Sequence, residues 1–103
     1  MQVLFKAEKN ILTCYLSGDI DHHTSAPIRE IIDTQLQKLM PDELRLDFRD
    51  VHFMDSSGVG LVMGRYKTAL VYGCRVYVVH MPDAVEKIMR MSGLGSLITF
   101  ERD

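Results

Sequence analysis

The chain has 103 residues, 47% of them hydrophobic and 25% charged, with a net charge of −2; that suffices for one domain with one core and not for two. The charge balance, with no run of about five Lys or Arg, excludes the basic field by which a domain grips nucleic acid. No segment approaches the ~18 uninterrupted apolar residues of a membrane helix, and Met1-Gln2-Val3-Leu4-Phe5-Lys6 lacks the basic and long apolar regions of a secretion signal.

In chain order, Val3-Leu4-Phe5 and residues 11–16 read as two strands joined by a polar turn at Glu8-Lys9-Asn10. Gly18 breaks the pattern, and the stretch from Asp21 to Ser25 is rich in helix-capping residues. Ile28, Ile31, Ile32, Leu36 and Leu39 recur at three- and four-residue steps, predicting a helix with one apolar face. Pro27 fits only in that helix's first turn, so the start falls between Asp21 and Ser25, and Met40-Pro41-Asp42 ends it.

Residues 44–48 alternate apolar and charged side chains as a strand does, and a short polar loop leads on to Phe53-Met54-Asp55-Ser56-Ser57-Gly58-Val59-Gly60. A second helix begins near Ser56, carries Val59, Val62, Met63 and Tyr66, and runs to about Val71, with Tyr72-Gly73 as its cap. Arg75-Val76-Tyr77-Val78-Val79 is β-branched and nearly continuous, hence a buried central strand. Pro82-Asp83 opens a third helix that turns Val85, Ile88 and Met89 inward, Gly93 closes it, and residues 97–100 form the last strand. The order β-β-α-β-α-β-α-β predicts a single α/β domain over 1–103, a small mixed sheet with helices packed on it, because parallel strands need crossover helices. Cys14 and Cys74 stand alone in apolar runs, the pattern of reduced core thiols in a cytoplasmic protein.

The chemistry concentrates at Asp55-Ser56-Ser57-Gly58, where a helix must begin beside unpaired backbone N–H groups. A serine there is a helix cap worth about 0.5–2 kcal/mol, a nucleophile, or a phosphorylation switch, since the same place tolerates negative charge. Gly58 in a helix's first turn costs up to ~1 kcal/mol relative to Ala, which implies a close approach to the backbone. An esterase or phosphatase using Ser56 lacks its elbow, because Met54 stands where glycine is needed, although His22, His23 and His52 are available as bases should the fold bring one to Ser56. Gly58-Val59-Gly60-Leu61-Val62-Met63 lacks the last glycine of a dinucleotide loop, and Gly64-Arg65 does not end a P-loop, so no cofactor is expected. His22-His23 completes no metal spacing. Gly60 and Gly64, four apart, read as one helical face packed closely on a neighbouring element, and Arg65 and Lys67 as a solvated face. Met54, Met63, Met81, Met89 and Met91 read in the first place as adaptable core filler, and Met54 and Met91 alternatively as a partly exposed, deformable apolar surface near the Ser56 loop.

Three segments in order carry a family resemblance: Ser17-Gly18-Asp19-Ile20-Asp21-His22-His23-Thr24, Asp55-Ser56-Ser57-Gly58-Val59-Gly60 with Gly64-Arg65-Tyr66-Lys67, and Met91-Ser92-Gly93-Leu94. Together they resemble the STAS-domain anti-sigma factor antagonists, and among these the antagonists of the sporulation anti-sigma F factor. The resemblance implies the STAS fold and a binding module with no catalytic activity. It implies that the first serine after the aspartate, Ser56, is phosphorylated by the anti-sigma factor, itself a serine kinase, and dephosphorylated by a cognate serine phosphatase. The unphosphorylated form would bind the kinase and release a sporulation sigma factor, with Asp21, Met54, Asp55, Ser57 and Gly58 forming the partner-binding surface around Ser56. A scaffold role in another partner-switching or stressosome-like complex is the alternative use of the same fold.

Overall fold

In the computed structural model, which describes residues 1–102, the chain opens with an antiparallel hairpin of β1 (Gln2–Glu8) and β2 (Ile11–Ile20). Lys9 and Asn10 at its tip both take left-handed backbone, with φ of 52° and 64°, the turn geometry that matches the twist of paired strands. There follow α1 (Ser25–Leu39), β3 (Glu43–Met54), α2 (Ser56–Val71), β4 (Arg75–Val79), α3 (Asp83–Met91), a 3-10 turn at Leu94–Ser96 and β5 (Thr99–Glu101). The strands lie in the order β1-β2-β3-β4-β5, parallel at every pair after the first. Each crossover steps one strand further in the same direction, and right-handed crossovers of that kind put all three helices on one face.

Strand alternation sets what those helices cover. Leu12, Cys14 and Leu16 of β2, Leu44 and Leu46 of β3, and Val76 and Val78 of β4 are buried with Ile28, Ile32 and Leu36 of α1, Val62 of α2, and Val85 and Met89 of α3. Between them, the other face carries polar and aromatic groups: Arg45 lies over the Tyr77 ring at 5.3 Å and pairs with Glu43 at 3.0 Å and with Glu101. Cys14 and Cys74 are free and buried, and burial pushes their thiols up to about 12 and about 11, out of reach of thiolate chemistry near neutral pH.

Several boundaries differ from the sequence reading. β2 does not stop before Gly18 but passes through it to Ile20, with irregular pairing to β3 on either side and a φ of 102° at the glycine; such bulges bend a strand without ending it. β3 runs from Glu43 to Met54, well past the expected 44–48, because Phe48, Val51 and Met54 remain buried while Arg49, Asp50, His52 and Phe53 face solvent. Ile31 and Leu39 flank the buried stripe of α1 and are each 44% exposed. The final strand is displaced to Thr99–Glu101 because Leu94–Ser96 winds into the 3-10 turn.

Candidate functional site

β2 and β3 run parallel and finish together: Ile20 pairs with Met54, and the Asp55 N–H donates to the Ile20 carbonyl at 3.2 Å. The next residues, Asp21 and Asp55, therefore emerge side by side at the carboxyl ends of the strands, the edge where open α/β sheets bind. Asp21 Oδ1 accepts from the N–H groups of His23 at 2.9 Å and Thr24 at 3.0 Å, while the Asp21 N–H donates to Thr24 Oγ1 at 2.9 Å. This reciprocal turn delivers the chain to α1 at Ser25, inside the expected stretch. The Thr24 N–H, followed by that of His23, holds the Asp21 carboxyl below the usual carboxylate range.

Asp55 has extended backbone, and its Oδ1 accepts from the Ser57 N–H at 2.8 Å while its carbonyl accepts from the Gly58 N–H at 3.0 Å. Asp55, and neither serine, is thus the N-cap of α2. Ser56 becomes the first residue of that helix, exposed, with its hydroxyl in no side-chain hydrogen bond and beside no histidine partner among the described residues. Ser57 is half-buried. The adjacent His22 and His23 rings lie 4.1 Å apart, and no three His, Cys, Asp or Glu side chains gather as a metal-holding group among the described residues.

Met54 is only 4% exposed, which corrects the expectation that it offers a surface to a partner. It lies beneath the helix start: a Cβ added to Gly58 would stand 2.2 Å from Met54 Sδ and 2.3 Å from its Cγ. The close approach inferred at Gly58 is therefore made by the core, from below, and Gly58 is itself buried. Met91, by contrast, is 78% exposed.

The close-packed face expected at Gly60 and Gly64 is also corrected. Nothing lies within 4 Å of a Cβ built at either glycine. With Ser57, Leu61 and Arg65 of α2 they form one wall of a groove of about 360 Å³, whose other wall is Ser25, Ala26 and Arg29 of α1. Arg65 is not on a solvated face: it is 4% exposed, and its Nε lies 2.9 Å from Asp33 Oδ1. Burial lowers its pKa, against the opposing pull of Asp33. Lys67 is exposed as expected. Arg29, Arg65 and Ser25 were not singled out in the sequence as site residues. The helical spacing of Ser57, Gly60, Gly64 and Arg65 marks a common face, but only the docking of α1 turns that face into a groove.

The glycines separate into two kinds, and this has a measurable consequence. Gly58→Ala gains about 1 kcal/mol of helix propensity but displaces Met54 at a cost of about 1–3 kcal/mol, so a net loss of up to about 2 kcal/mol is expected in urea unfolding. Gly60→Ala and Gly64→Ala are expected to stabilise by about 0.5–1 kcal/mol each. In a Met54→Ala background the effect of Gly58→Ala reverses sign; a loss that persisted there would disprove the contact with Met54.

A small α/β domain thus presents an uncommitted serine at the start of a helix, capped by its own neighbour at the carboxyl edge of a parallel sheet. The chain matches the STAS domain over residues 2–103 and belongs to the STAS domain family. It is 34% identical over 94 residues to an anti-sigma F factor antagonist of Paenibacillus polymyxa, covering 91% of this chain and 80% of that protein. A protein of the same name from Lysinibacillus sphaericus is 32% identical over 80 residues, covering 78% of this chain and 68% of that one. Among solved structures, the anti-sigma factor antagonist SpoIIAA in its unphosphorylated form superimposes with a TM-score of 0.83 at 29% identity, covering 96% of this chain and 87% of that one. The Bacillus cell fate determinant SpoIIAA in its phosphorylated form superimposes with a TM-score of 0.75 at 28% identity, covering 96% and 90%.

Proposed function

We propose that this STAS domain is an anti-sigma factor antagonist whose binding to an anti-sigma factor with serine kinase activity is switched off by phosphorylation of Ser56. The observation that carries the reading is the state of that serine. Asp55 has taken over the capping of α2, so the Ser56 hydroxyl is exposed and uncommitted. Relatives with the name anti-sigma F factor antagonist, and a relative solved in both phosphorylated and unphosphorylated forms on this fold, support it.

The physics is that of a local charge change on an unchanged scaffold. A phosphate adds about −1.5 to −2 charge. The positive end of α2 tolerates it, so the domain stays folded. At the strand edge the carboxylates of Asp21 and Asp55 already make the surface negative, and a partner shaped for a neutral hydroxyl meets desolvation and like-charge repulsion. Asp21, Asp55 and Ser57 form the contact surface around Ser56, while Met54 and Gly58 hold it from beneath. A serine phosphatase restores the binding form, and the released sigma factor is one of the sporulation class. The setting is the cytoplasm.

Incubation with the anti-sigma kinase and ATP, followed by intact mass measurement and peptide mapping, tests the assignment. One phosphate on Ser56, absent in Ser56→Ala, is the expected result. No phosphate from a kinase active on another substrate would refute the switch.

A further inference from the structure

We propose that the free edge of β1 is a self-association surface, where a second copy of this chain adds its own β1 antiparallel and joins the two sheets into one. The inference is independent of Ser56 and of its modification. The hairpin turn is two residues long and closed by the Glu8–Ile11 pair, so hydrogen-bonded pairs alternate back along it at Glu8, Lys6, Leu4 and Gln2. The N–H and C=O groups of Val3, Phe5 and Ala7 therefore point out of the sheet, away from the β1–β2 ladder. Sheet edges are ordinarily blunted by brevity, proline, a bulge or an inward charge. The opposite edge is blunted in this way, since β5 has only three residues. By contrast, β1 runs for seven residues without Pro or Gly and in unbroken register with β2. Its charged side chains, Lys6 and Glu8, stand opposite Thr13 and Ile11, on the face away from the helices.

The side chains along this edge are as incomplete as its backbone. Val3 and Phe5 face the helices beside Leu16 and Cys14 of β2 but are only partly covered. Between β1 and α1 run two grooves, one of about 250 Å³ at Val3 and Ile31 and one of about 200 Å³ at Ala7 and Leu39. On the other face Leu4 is 56% exposed beside Tyr15. What selects a second copy as the occupant is the register. A two-fold axis at Phe5 pairs β1 along its whole length, and sets Val3 against Ala7 of the second copy with outward backbone groups meeting on both sides. Phe5 then meets its own copy on the helix face. On the other face Leu4 meets the stem of Lys6, and Gln2 meets Glu8, so no like charges are opposed. Moving the axis to Lys6 would set that ammonium against itself. The Ser56 edge lies beyond the end of β3, two strands away, and stays open in the pair.

Sedimentation equilibrium at concentrations up to about 1 mM, the range in which a small strand-edge contact associates, tests the proposal. The mass is expected to rise reversibly toward twice that of the chain. Ala7→Pro removes an N–H that points out of the sheet and leaves the pairing with β2 intact, and is expected to abolish the dimer with the fold kept. Leu4→Lys places like charges opposite Lys6 of the second copy at two symmetric positions, and is expected to weaken association about tenfold. Leu4→Lys/Lys6→Glu turns the same positions into opposite charges and is expected to restore it. A chain that stays monomeric throughout would overturn the proposal and leave the edge to a strand of another protein. A dimer that persists in Ala7→Pro would overturn it by placing the contact on another face. A double variant as weak as Leu4→Lys would overturn the register on which the choice of a second copy rests.

Discussion

Ser56→Asp is expected to leave the domain as stable as the parent and to weaken its binding to the anti-sigma kinase by about a hundredfold, near 2.7 kcal/mol. The two halves of that result have one cause. Position 56 is the first residue of α2, where a negative side chain interacts favourably with the helix end by about 0.3–1 kcal/mol. Repulsion from the neighbouring Asp55 offsets part of this, so the thermal midpoint should scarcely move. At the proposed interface there is no such compensation, because a partner covering Ser56 would bury the new charge beside Asp21 and Asp55. Ser56→Ala removes only a hydroxyl that makes no hydrogen bond among the described residues, and should bind within a few-fold of the parent while resisting phosphorylation. Calorimetric titration with the kinase measures both variants. Parent-like affinity in Ser56→Asp would sink the charge-exclusion mechanism, and a collapse of its thermal midpoint would mean that unfolding, not surface charge, is the switch.

Asp33→Ala is expected to cost about 2–3 kcal/mol, more than any substitution at the serine edge. It strips Arg65 of its only anionic neighbour within ion-pair distance among the described residues. Removing one partner of a fully buried pair costs about 3–5 kcal/mol; the value is discounted because the Asp33 side chain is 29% exposed and water reaches that side. The attraction itself is not the main quantity, since the contact is poorly aligned. The cost is that of leaving a buried guanidinium without a counter-charge. The double variant Asp33→Ala/Arg65→Met should therefore recover most of the loss. Urea unfolding with unchanged m-values reads the comparison. A loss below about 0.5 kcal/mol for Asp33→Ala, the range of ordinary surface substitutions, would show that Arg65 is adequately solvated without it.

The elements legible in the sequence were those whose signals are local. The hairpin turn at Lys9 and Asn10, the start of α1 ahead of Pro27, the cap of α2 at Tyr72 and the end of α3 before Gly93 follow from backbone preferences over a few residues. The order of strands and helices followed from periodicity, and Asp55-Ser56-Ser57 marked the helix start where the site lies. Recognition of the family from its three segments added the expectation that Ser56 is the switch, which capping chemistry alone left undecided between cap, nucleophile and modification site.

What the tertiary structure decided was, in each case, a question of what lies across from a residue. The far half of β3 is polar on its outer side, so Arg49, Asp50 and His52 resemble a loop until Ile20 and Gly18 of β2 pair alongside. Gly58 is small because Met54 rises under it, whereas Gly60 and Gly64 are small beside empty space, a distinction invisible in their shared helical spacing. Arg65 resembles a solvated helix residue until α1 packs against it and brings Asp33 to its side. Local chemistry determined where helices begin; burial and pairing are long-range, and only the packed chain decided which serine is displayed and which neighbours those residues meet.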